Sequence, residues 1–158
     1  MKQIMTAVTA QKPSFHSRAA AATVADVIRP PLTTVGQHDH VAAAAYLMKH
    51  AATTALIVTD AQTGQPTGII TEADVARAIA DGKDINEVRV NAVMATRPTV
   101  TATTSIRDAA TIMTTGHYRH LPVTGDTGLV GMVDITNICR GIDRHRTGMT
   151  GARAQIRT

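Results

Sequence analysis

The chain has 158 residues, a formal net charge of +4, one cysteine, no tryptophan and only 2% aromatic residues. This length suits one ordinary domain with an aliphatic core, and the single cysteine excludes an intrachain disulfide and a cysteine-cluster zinc site. The shortage of aromatic rings argues against a stacking platform for single-stranded nucleic acid. With no apolar run long enough to span a membrane and no secretory signal pattern, we expect a soluble, cytoplasmic protein without a membrane partner.

The excess positive charge lies at the two ends of the chain. Residues 1–22 contain three basic residues and no acid, and residues 140–158 contain five arginines and a single aspartate. Because neither end shows a sustained apolar period, we predict a flexible basic leader over 1–22 and a flexible basic tail over 143–158. The rest of the chain is slightly acidic, which argues against nucleic acid as a partner.

In the first half of the chain, short apolar runs alternate with helical patterns. Asp39 and Thr71 are well placed to cap two helices, because their side-chain oxygens can accept from the first free backbone N–H groups. The second of these helices is predicted to turn Val75, Ala76 and Ile79 inward. The predicted order is a short helical turn at 23–28, a strand at 33–35, a helix at 40–50, strands at 56–58 and 67–70, and a helix at 72–80.

The second half of the chain repeats this order. Ser105 is predicted to cap a helix, and Gly116 to end it in a left-handed conformation. Asp134 is predicted to cap the last helix, at the position equivalent to Thr71. Cys139 has an apolar-periodic position on that helix, so we expect a small core residue rather than a nucleophile. The predicted order is a turn at 90–94, an extended segment at 97–100, a helix at 106–115, strands at 121–123 and 129–133, and a helix from 135 to about 142.

One stretch of eight residues indicates that the chain is an internal duplication. The sequence GIITEADV at 68–75 returns in altered form as GMVDITNI at 131–138. In each copy a glycine opens a buried strand, and a polar residue ends the strand where a helix begins. The free N–H groups at such a helix start favour anions and polyhydroxyl ligands.

The duplicated unit resembles a CBS-domain pair, the Bateman module. The resemblance rests on a leading segment like M-x-x-x-P, on a P-V strand and on a closing pattern G-h-h-[ST]-x-x-[DN], in the same order in both copies. It covers about residues 23–141. The matching segments are 28–35, 56–60, 68–74, 94–100, 117–123 and 131–137.

The resemblance implies an α+β fold in which two β-α-β-β-α CBS repeats, at 23–82 and 83–142, pack through their sheets. Two clefts are then expected to bind an adenosyl ligand such as AMP, ADP, ATP or S-adenosylmethionine. Modules that resemble this one usually regulate an effector protein, need no cofactor and pair into disk-shaped homodimers. The resemblance therefore implies a non-enzymatic sensor with an effector protein as its partner.

Thr71 and Asp74 match the family's ribose-binding positions, where a carboxylate can accept from both sugar hydroxyls. The same Thr-x-x-Asp spacing is also a capping box, which needs no ligand, and the two roles can coexist. In the second repeat Asp134 and Asn137 take these positions, so its sugar site departs from the common pattern. We therefore predict that the cleft beside Thr71 and Asp74 is the better ribose site.

The segment at 117–120 precedes the second P-V strand, where the family resemblance places base and phosphate contacts. Arg119 could hold a phosphate through two hydrogen bonds and Tyr118 could cover a ring, although a solvated surface turn is the alternative. The equivalent segment at 52–55 has no cation, and we predict that 117–120 serves mainly the other cleft. The predicted ligand-binding residues are Thr33, Thr34, Thr54, Ala55, Thr71, Asp74, Thr99, His117, Tyr118, Arg119, His120, Pro122, Asp134 and Asn137.

The sequence shows no apparatus for catalysis or for metal binding. The pairs His38-x-His40 and His117-x-x-His120 have no cysteine and no carboxylate nearby in a recognised metal-binding array. No cysteine and histidine are set at a spacing typical of a nucleophile and its base. We therefore expect neither a metal site nor an enzyme.

Two other interpretations stay open. The chain could be a homodimeric interaction protein whose clefts are vestigial, or its basic ends could bind nucleic acid. A homodimer is expected both for the ligand sensor and for the interaction protein. Its predicted surface is the small-residue face at 42–45, together with Ile112 and Met113.

Overall fold

The computed structural model describes residues 22–29 and 33–154, with side chains as far as residue 144. All of the predicted basic leader except Ala22 lies outside the described residues. The fold is α+β, and the described elements follow the predicted order. The strands are β1 (Thr34–Gly36), β2 (Ala55–Thr59), β3 (Pro66–Thr71), β4 (Val100–Thr101), β5 (His120–Gly125) and β6 (Gly128–Asp134), the helices are α1 (Val41–Ala51), α2 (Glu72–Ala80), α3 (Ile106–Thr115) and α4 (Ile135–Ala154), and two 3-10 turns lie at Val24–Asp26 and Val90–Ala92.

The two sheets have the same topology, which confirms the duplication. In the first sheet β1 runs parallel to β2 and β2 runs antiparallel to β3, and β4, β5 and β6 repeat this arrangement. The pairing register shifts between Val58 and Thr59 in the first hairpin, and between Val123 and Thr124 in the second. Each repeat thus retains the same irregularity at the equivalent place.

The sheets of the two repeats pack against each other through a small apolar cluster. Ala55, Ile57 and Ile69 are buried at its centre, and Leu129 and Met132 of the second repeat cover them. Burial of aliphatic side chains stabilises this contact by about 25 cal/mol for each Å² of apolar surface removed from water. The predicted packing of the repeats through their sheets is therefore confirmed.

The segments before β1 and β4, at 22–29 and 88–97 and called lead-in segments below, each pack on the other repeat. Val24 is buried in the core of the second repeat, where its N–H donates to the Thr104 carbonyl at 2.8 Å. Val90 is buried in the core of the first repeat in the same way. Each core therefore contains residues from both halves of the chain, an exchange that the sequence does not predict.

The lead-in segments also reach the opposite hairpins through equivalent bridges. Arg29 pairs with Met132 of β6, and Ala95 pairs with Ile69 of β3. Because β3 and β6 end at the starts of α2 and α4, each bridge brings one lead-in segment to the start of a helix in the other repeat. This crossing decides which polar side chains share a cleft.

The cap of α1 differs from the prediction. His40 is the N-cap residue in place of Asp39, and it makes no side-chain cap hydrogen bond. The Asp39 carboxylate accepts instead from the Gly36 N–H at 2.8 Å, in the turn after β1. A short acidic side chain readily bonds to nearby backbone groups, and here that local bond replaces the helix cap.

The predicted inward face of α2 is partly wrong. Val75 is buried, but Ala76 is exposed and Ile79 is 55% exposed. The buried positions of this helix are Asp74, Val75 and Ala78. The capping box at the start of α2 holds the Asp74 carboxylate against Thr71, so a polar side chain takes one of the buried positions of this helix.

The end of α3 also differs from the prediction. Ser105 caps this helix as expected, but Gly116 has φ −91° and the left-handed residue is His117, with φ 54°. Ala52 takes the same conformation after α1, with φ 48°. Gly116 is required for another reason, because a Cβ at this position would collide with the Tyr118 ring.

The last helix is longer than predicted. α4 continues to Ala154 instead of ending near Ile142, so part of the predicted flexible tail is helical. Cys139 is exposed on this helix, which corrects its predicted core position, because Ile138 and Gly141 form the buried face. No helix in the described part of the chain is long and apolar enough to cross a membrane.

The predicted dimer surface is only partly exposed. Ala44 is buried, and Met113 is 1% exposed in the core of the second repeat, so neither can serve as a contact. Ile112 packs against that core as a partly buried residue. Among the described residues, large exposed apolar side chains include Tyr46 on α1 and Ile79 on α2, which are 61% and 55% exposed.

Candidate functional site

A cavity of about 530 Å³ opens where β3 leads into α2 and faces the second repeat. We call it the first cleft. Its volume lies in the range of small-molecule sites, about 300–1,000 Å³. The first repeat contributes Thr54, Ile69, Thr71, Glu72, Ala73, Asp74 and Arg77 to its lining, and the second contributes Arg97, His117, Arg119 and His120.

Asp74 is buried at the start of α2 and is held by its neighbours. Its Oδ2 accepts from the Thr71 N–H at 3.0 Å and from the Thr71 hydroxyl at 2.6 Å. Its Oδ1 accepts from Arg77 Nη1 at 3.1 Å. The predicted capping box is therefore present, and a carboxylate with about four acceptor directions still has room at Oδ1 for a ligand hydroxyl.

Two arginines of the second repeat add positive charge to this cleft. Arg97 lies over the Tyr118 ring, with 4.9 Å between the guanidinium carbon and the ring centroid. Arg119 is exposed at the turn before β5. Within residues 22–29 and 33–144, neither arginine forms an ion pair with a carboxylate. The first cleft thus combines a hydroxyl acceptor with two guanidinium groups available to an anion.

The structure corrects the prediction of which cleft the segment at 117–120 serves. The segment at 117–120 was expected to serve mainly the cleft opposite Thr71, yet its residues His117, Arg119 and His120 line the same cavity as Thr71. The physical reason is the way in which the two repeats pack on each other. The packing of their sheets places the turn before β5 opposite the start of α2. The first cleft is therefore lined both by the predicted ribose-binding pair and by residues of the segment at 117–120.

His120 is half-buried at the start of β5. Burial is the main cause that lowers the pKa of its imidazole below the usual value of 6.5; Asp134 raises the pKa, and Arg119 and Arg97 lower it further. At neutral pH the ring is therefore uncharged, with one nitrogen able to donate and the other able to accept.

The second cleft has a different arrangement. Asp134 caps α4 as predicted, because its Oδ1 accepts from the Asn137 N–H at 2.8 Å. Its Oδ2 lies 3.7 Å from Nε of Arg29, which arrives on the lead-in segment. The second cleft is a cavity of about 630 Å³ between the lead-in segment and α4, and Arg29 lines it whereas Asp134 does not. Its lining includes Asp26, Arg29, Asn137, Arg140, Asp143 and Arg144.

Seven predicted ligand residues line neither of these two cavities, and one of them is Asp134, the cap of α4. Ala55 and Pro122 are buried within strands, and Tyr118 packs beneath Arg97. The other three are threonines at or just before the first strand of a repeat: Thr33, Thr34 and Thr99.

The lining residues that the sequence did not predict include two arginines of the first cleft. Arg77 follows Asp74 by one helical turn, a spacing that allows an ion pair on one helix face. Arg97 belongs to the R-P-T-V run of the second lead-in segment. The spacing could have indicated Arg77, whereas Arg97 reaches the cleft only because the lead-in segments are exchanged.

The histidine pairs do not form a metal centre within the described residues. No three His, Cys, Asp or Glu side chains among them lie close enough together to hold a metal ion. His38 instead lies at 3.3 Å from the amide nitrogen of Gln37.

Comparison with known proteins agrees with this architecture. The CBS domain family model matches residues 24–81 and 90–144. The mitochondrial CBS domain-containing protein CBSX3 of Arabidopsis thaliana is 35% identical over 94 residues, which cover 56% of this chain and 46% of that protein. An uncharacterized 17.7 kDa protein of Acidianus ambivalens is 33% identical over 123 residues, covering 77% and 70%. The chain thus spans about half the length of the Arabidopsis relative.

Solved structures have the same fold. A signal-transduction protein with CBS domains from Burkholderia ambifaria is 29% identical, with a TM-score of 0.70 over 77% of this chain and 93% of that chain. A CBS domain protein from Pyrobaculum aerophilum in complex with AMP has a TM-score of 0.70 at 21% identity, over 74% and 90%. The CBS domain pair of protein MJ0100 with 5′-methylthioadenosine and S-adenosyl-L-methionine has a TM-score of 0.71 at 24% identity, over 79% and 98%. Two copies of one unit, a family model that matches both, and shared architecture with solved CBS pairs show that the chain belongs to the CBS domain family.

Proposed function

We propose that the chain is a non-catalytic regulatory module that binds an adenine nucleotide in the first cleft. One observation carries the proposal: Thr71 and Asp74 of the first repeat share a cavity of about 530 Å³ with Arg97 and Arg119 of the second. A nucleotide has a sugar diol and a phosphate a few ångströms apart. This cleft has a hydroxyl acceptor on one wall and, on the other, two guanidinium groups that form no ion pair with a carboxylate of the described residues.

The contacts divide naturally between the parts of an adenine nucleotide. Oδ1 of Asp74 is the acceptor for ribose hydroxyls, next to the positive end of the α2 dipole. The guanidinium groups of Arg97 and Arg119 are donors for phosphate oxygens. Ile69 supplies apolar surface for the base at the floor of the cavity. The AMP bound to the Pyrobaculum protein and the adenosyl ligands bound to the MJ0100 pair support this class of ligand.

A ligand held in this way contacts both repeats at once. Binding therefore favours the arrangement in which the repeats close on the ligand, and an effector protein that contacts both repeats can detect this change. The positive charge of Arg97 and Arg119 favours a phosphorylated ligand, such as AMP, ADP or ATP, over the positively charged S-adenosylmethionine. The exposed thiol of Cys139 fits a reducing, cytoplasmic location.

We further propose that the chain forms a homodimer through α1 and α2. Tyr46 and Ile79 project from these neighbouring helices and are 61% and 55% exposed, so their apolar surface is available to a second copy of the chain. A size measurement at tens of micromolar tests this proposal. A strictly monomeric species would contradict it, and Tyr46→Glu should convert a dimer to a monomer.

A ligand panel tests the nucleotide proposal. The purified chain is melted with AMP, ADP, ATP, NAD or S-adenosylmethionine, and the ligands that raise the melting temperature are titrated by calorimetry. A ligand that binds only the folded state must raise the melting temperature. Silence across the panel would favour the alternative, a homodimeric interaction protein with vestigial clefts.

A further inference from the structure

His120 lies between the first cleft and the start of α4. It lines the first cleft, and its partner across the β5–β6 pair is Asp134, the cap of α4, which lies 3.7 Å from Nε of Arg29 in the lining of the second cleft. Arg119 also lines the first cleft, and its carbonyl accepts from the N–H of Ile135, the first residue of α4, at 2.9 Å. The start of β5 is therefore linked to the second cleft through Asp134 and Arg29.

Charged groups surround His120 on several elements. Arg119 precedes it on the chain, Arg97 approaches from the lead-in segment, and Asp134 lies on the paired strand. The turn before β5 adds His117, and α2 faces the same cavity with Glu72, Asp74 and Arg77.

Without a ligand, burial and the neighbouring arginines hold the pKa of the imidazole below its usual value, so the ring is neutral at pH 7. Burial lowers the pKa of His120, Asp134 raises it, and Arg119 and Arg97 lower it. Asp134 is only partly available to His120, because Arg29 already lies 3.7 Å from its Oδ2. The ligand-free protein thus has an uncharged His120 and an Arg29–Asp134 ion pair.

A phosphate held by Arg97 and Arg119 reverses this balance. The phosphate neutralises two cations that oppose a charge on the imidazole, and it adds a negative charge of its own. An opposite charge within about 4–6 Å favours the charged form of a titratable group by roughly one to three pKa units. The imidazole of His120 then takes up a proton and becomes a second cationic partner for Asp134.

We propose that anion binding in the first cleft is coupled to the Arg29–Asp134 ion pair of the second cleft through protonation of His120. The proposal rests on the proposed function only in taking Arg97 and Arg119 as the anion site. Once His120 is charged, Asp134 depends less on Arg29, which is released toward the cavity that it lines between the lead-in segment and α4. By linkage, the two clefts change each other's affinity by the same factor.

The test is an NMR titration of the histidines in the wild-type protein, first alone and then saturated with AMP. We expect His120 to titrate about one pH unit higher or more in the AMP complex. We also expect the Nε–Hε resonance of Arg29 to shift when AMP is added. Inorganic sulfate, which does not titrate between about pH 5 and 8, is the second probe and should raise the titration midpoint of His120 in the same direction.

Two variants separate the coupling from a general change in the protein. His120→Gln removes the titrating group, so saturation with AMP should no longer shift the Arg29 resonance. His50→Gln, on α1 away from both clefts, should retain the shift. If AMP binds while His120 titrates at an unchanged pH and Arg29 does not move, the coupling is overturned and the proposed function stands. If neither AMP nor sulfate binds, both proposals are overturned.

Discussion

The two clefts are built from equivalent elements but use their arginines differently. In the first cleft the buried Asp74 is paired with Arg77 of its own helix, so Arg97 and Arg119 of the second repeat have no carboxylate partner among the described residues. In the second cleft the capping carboxylate is paired with Arg29, which comes from the opposite lead-in segment.

This difference shows how a duplicated fold can have one site whose arginines are open to a ligand and one site whose arginine is already paired with an acid of the protein. Both helix starts retain an acid, and both hairpins retain the same register shift, but the acid is the third helical residue Asp74 in the first repeat and the capping residue Asp134 in the second. The source of the cation that neutralises the acid also differs. In the first cleft the cation comes from the same helix as the acid, so the opposite wall is free for a ligand. In the second cleft the cation comes from the opposite wall, and that wall is occupied.

The largest expected effect comes from removing the acid of the first cleft. Asp74→Asn replaces a charged acceptor by a neutral one, and hydrogen bonds to charged groups contribute roughly 1.5–3 kcal/mol. AMP affinity, measured by calorimetry, should therefore fall by about tenfold to a hundredfold. The fold should survive, because Asn137 already occupies the equivalent position on α4.

The matched control for this variant is Asn137→Asp, which makes the second cleft more like the first. It should leave the affinity of the first cleft unchanged. If Asp74→Asn binds AMP as the wild type does, the Thr71–Asp74 motif serves only as a helix cap and the ribose assignment is wrong.

A smaller and more selective effect is expected from Arg119→Ala. Only a phosphorylated ligand presents an anion to this guanidinium, so AMP should bind about tenfold more weakly while adenosine is nearly unaffected. The exposed Arg107 on α3 provides the control, because Arg107→Ala removes the same charge far from the cavity lining. An equal loss for adenosine and AMP would show that Arg119 shapes the cleft without binding phosphate.

The pH dependence of stability sharpens the comparison further. Because the pKa of His120 is lowered in the folded protein, the unfolded chain binds a proton more readily below about pH 6.5. The free energy of unfolding should therefore decrease as the pH falls through 6.5. The decrease should stop once the pH is below the pKa of His120 in the folded protein. The free energy of unfolding, measured by urea denaturation at several pH values, should depend less steeply on pH in His120→Gln than in the wild type. If the free energy of unfolding of His120→Gln depended on pH as steeply as that of the wild type, the assignment of a lowered pKa to His120 would be contradicted.

The smallest effect concerns the left-handed turns that the two repeats share. Ala52 and His117 both have positive φ, at 48° and 54°, which strains a residue with a Cβ. Ala52→Gly should raise the free energy of unfolding by about 0.5–1 kcal/mol, since relief of strain exceeds the added entropy of the unfolded chain. Thermal melting should show a rise of about 1–4 °C, and a fall would show that these turns are unstrained.

The fold could be predicted largely because its signals are local and occur twice. The strand–helix boundary at Thr71, the cap at Ser105 and the order of the elements follow from neighbouring residues. The inward face of α2 was predicted wrongly from apolar spacing alone, because Asp74 and Ala78 take buried positions while Ile79 is exposed. The extension of α4 was missed because no proline or capping pattern marks its end.

The candidate site was predictable in its parts but not in its assembly. Thr71, Asp74 and Arg119 were each identified by position in a repeat. Their convergence on one cleft depends on how the two sheets pack, a long-range relation that no local pattern contains. Arg97 was missed for the same reason, because its lead-in segment contacts the repeat to which it does not belong in sequence.

A crystal structure of the chain with AMP tests the central claim most directly. We expect the ribose hydroxyls within hydrogen-bond distance of Oδ1 of Asp74 and the phosphate between Arg97 and Arg119, with both repeats in contact with one nucleotide. AMP bound only between the lead-in segment and α4, or bound in the first cleft with its ribose turned away from Asp74, would contradict the account.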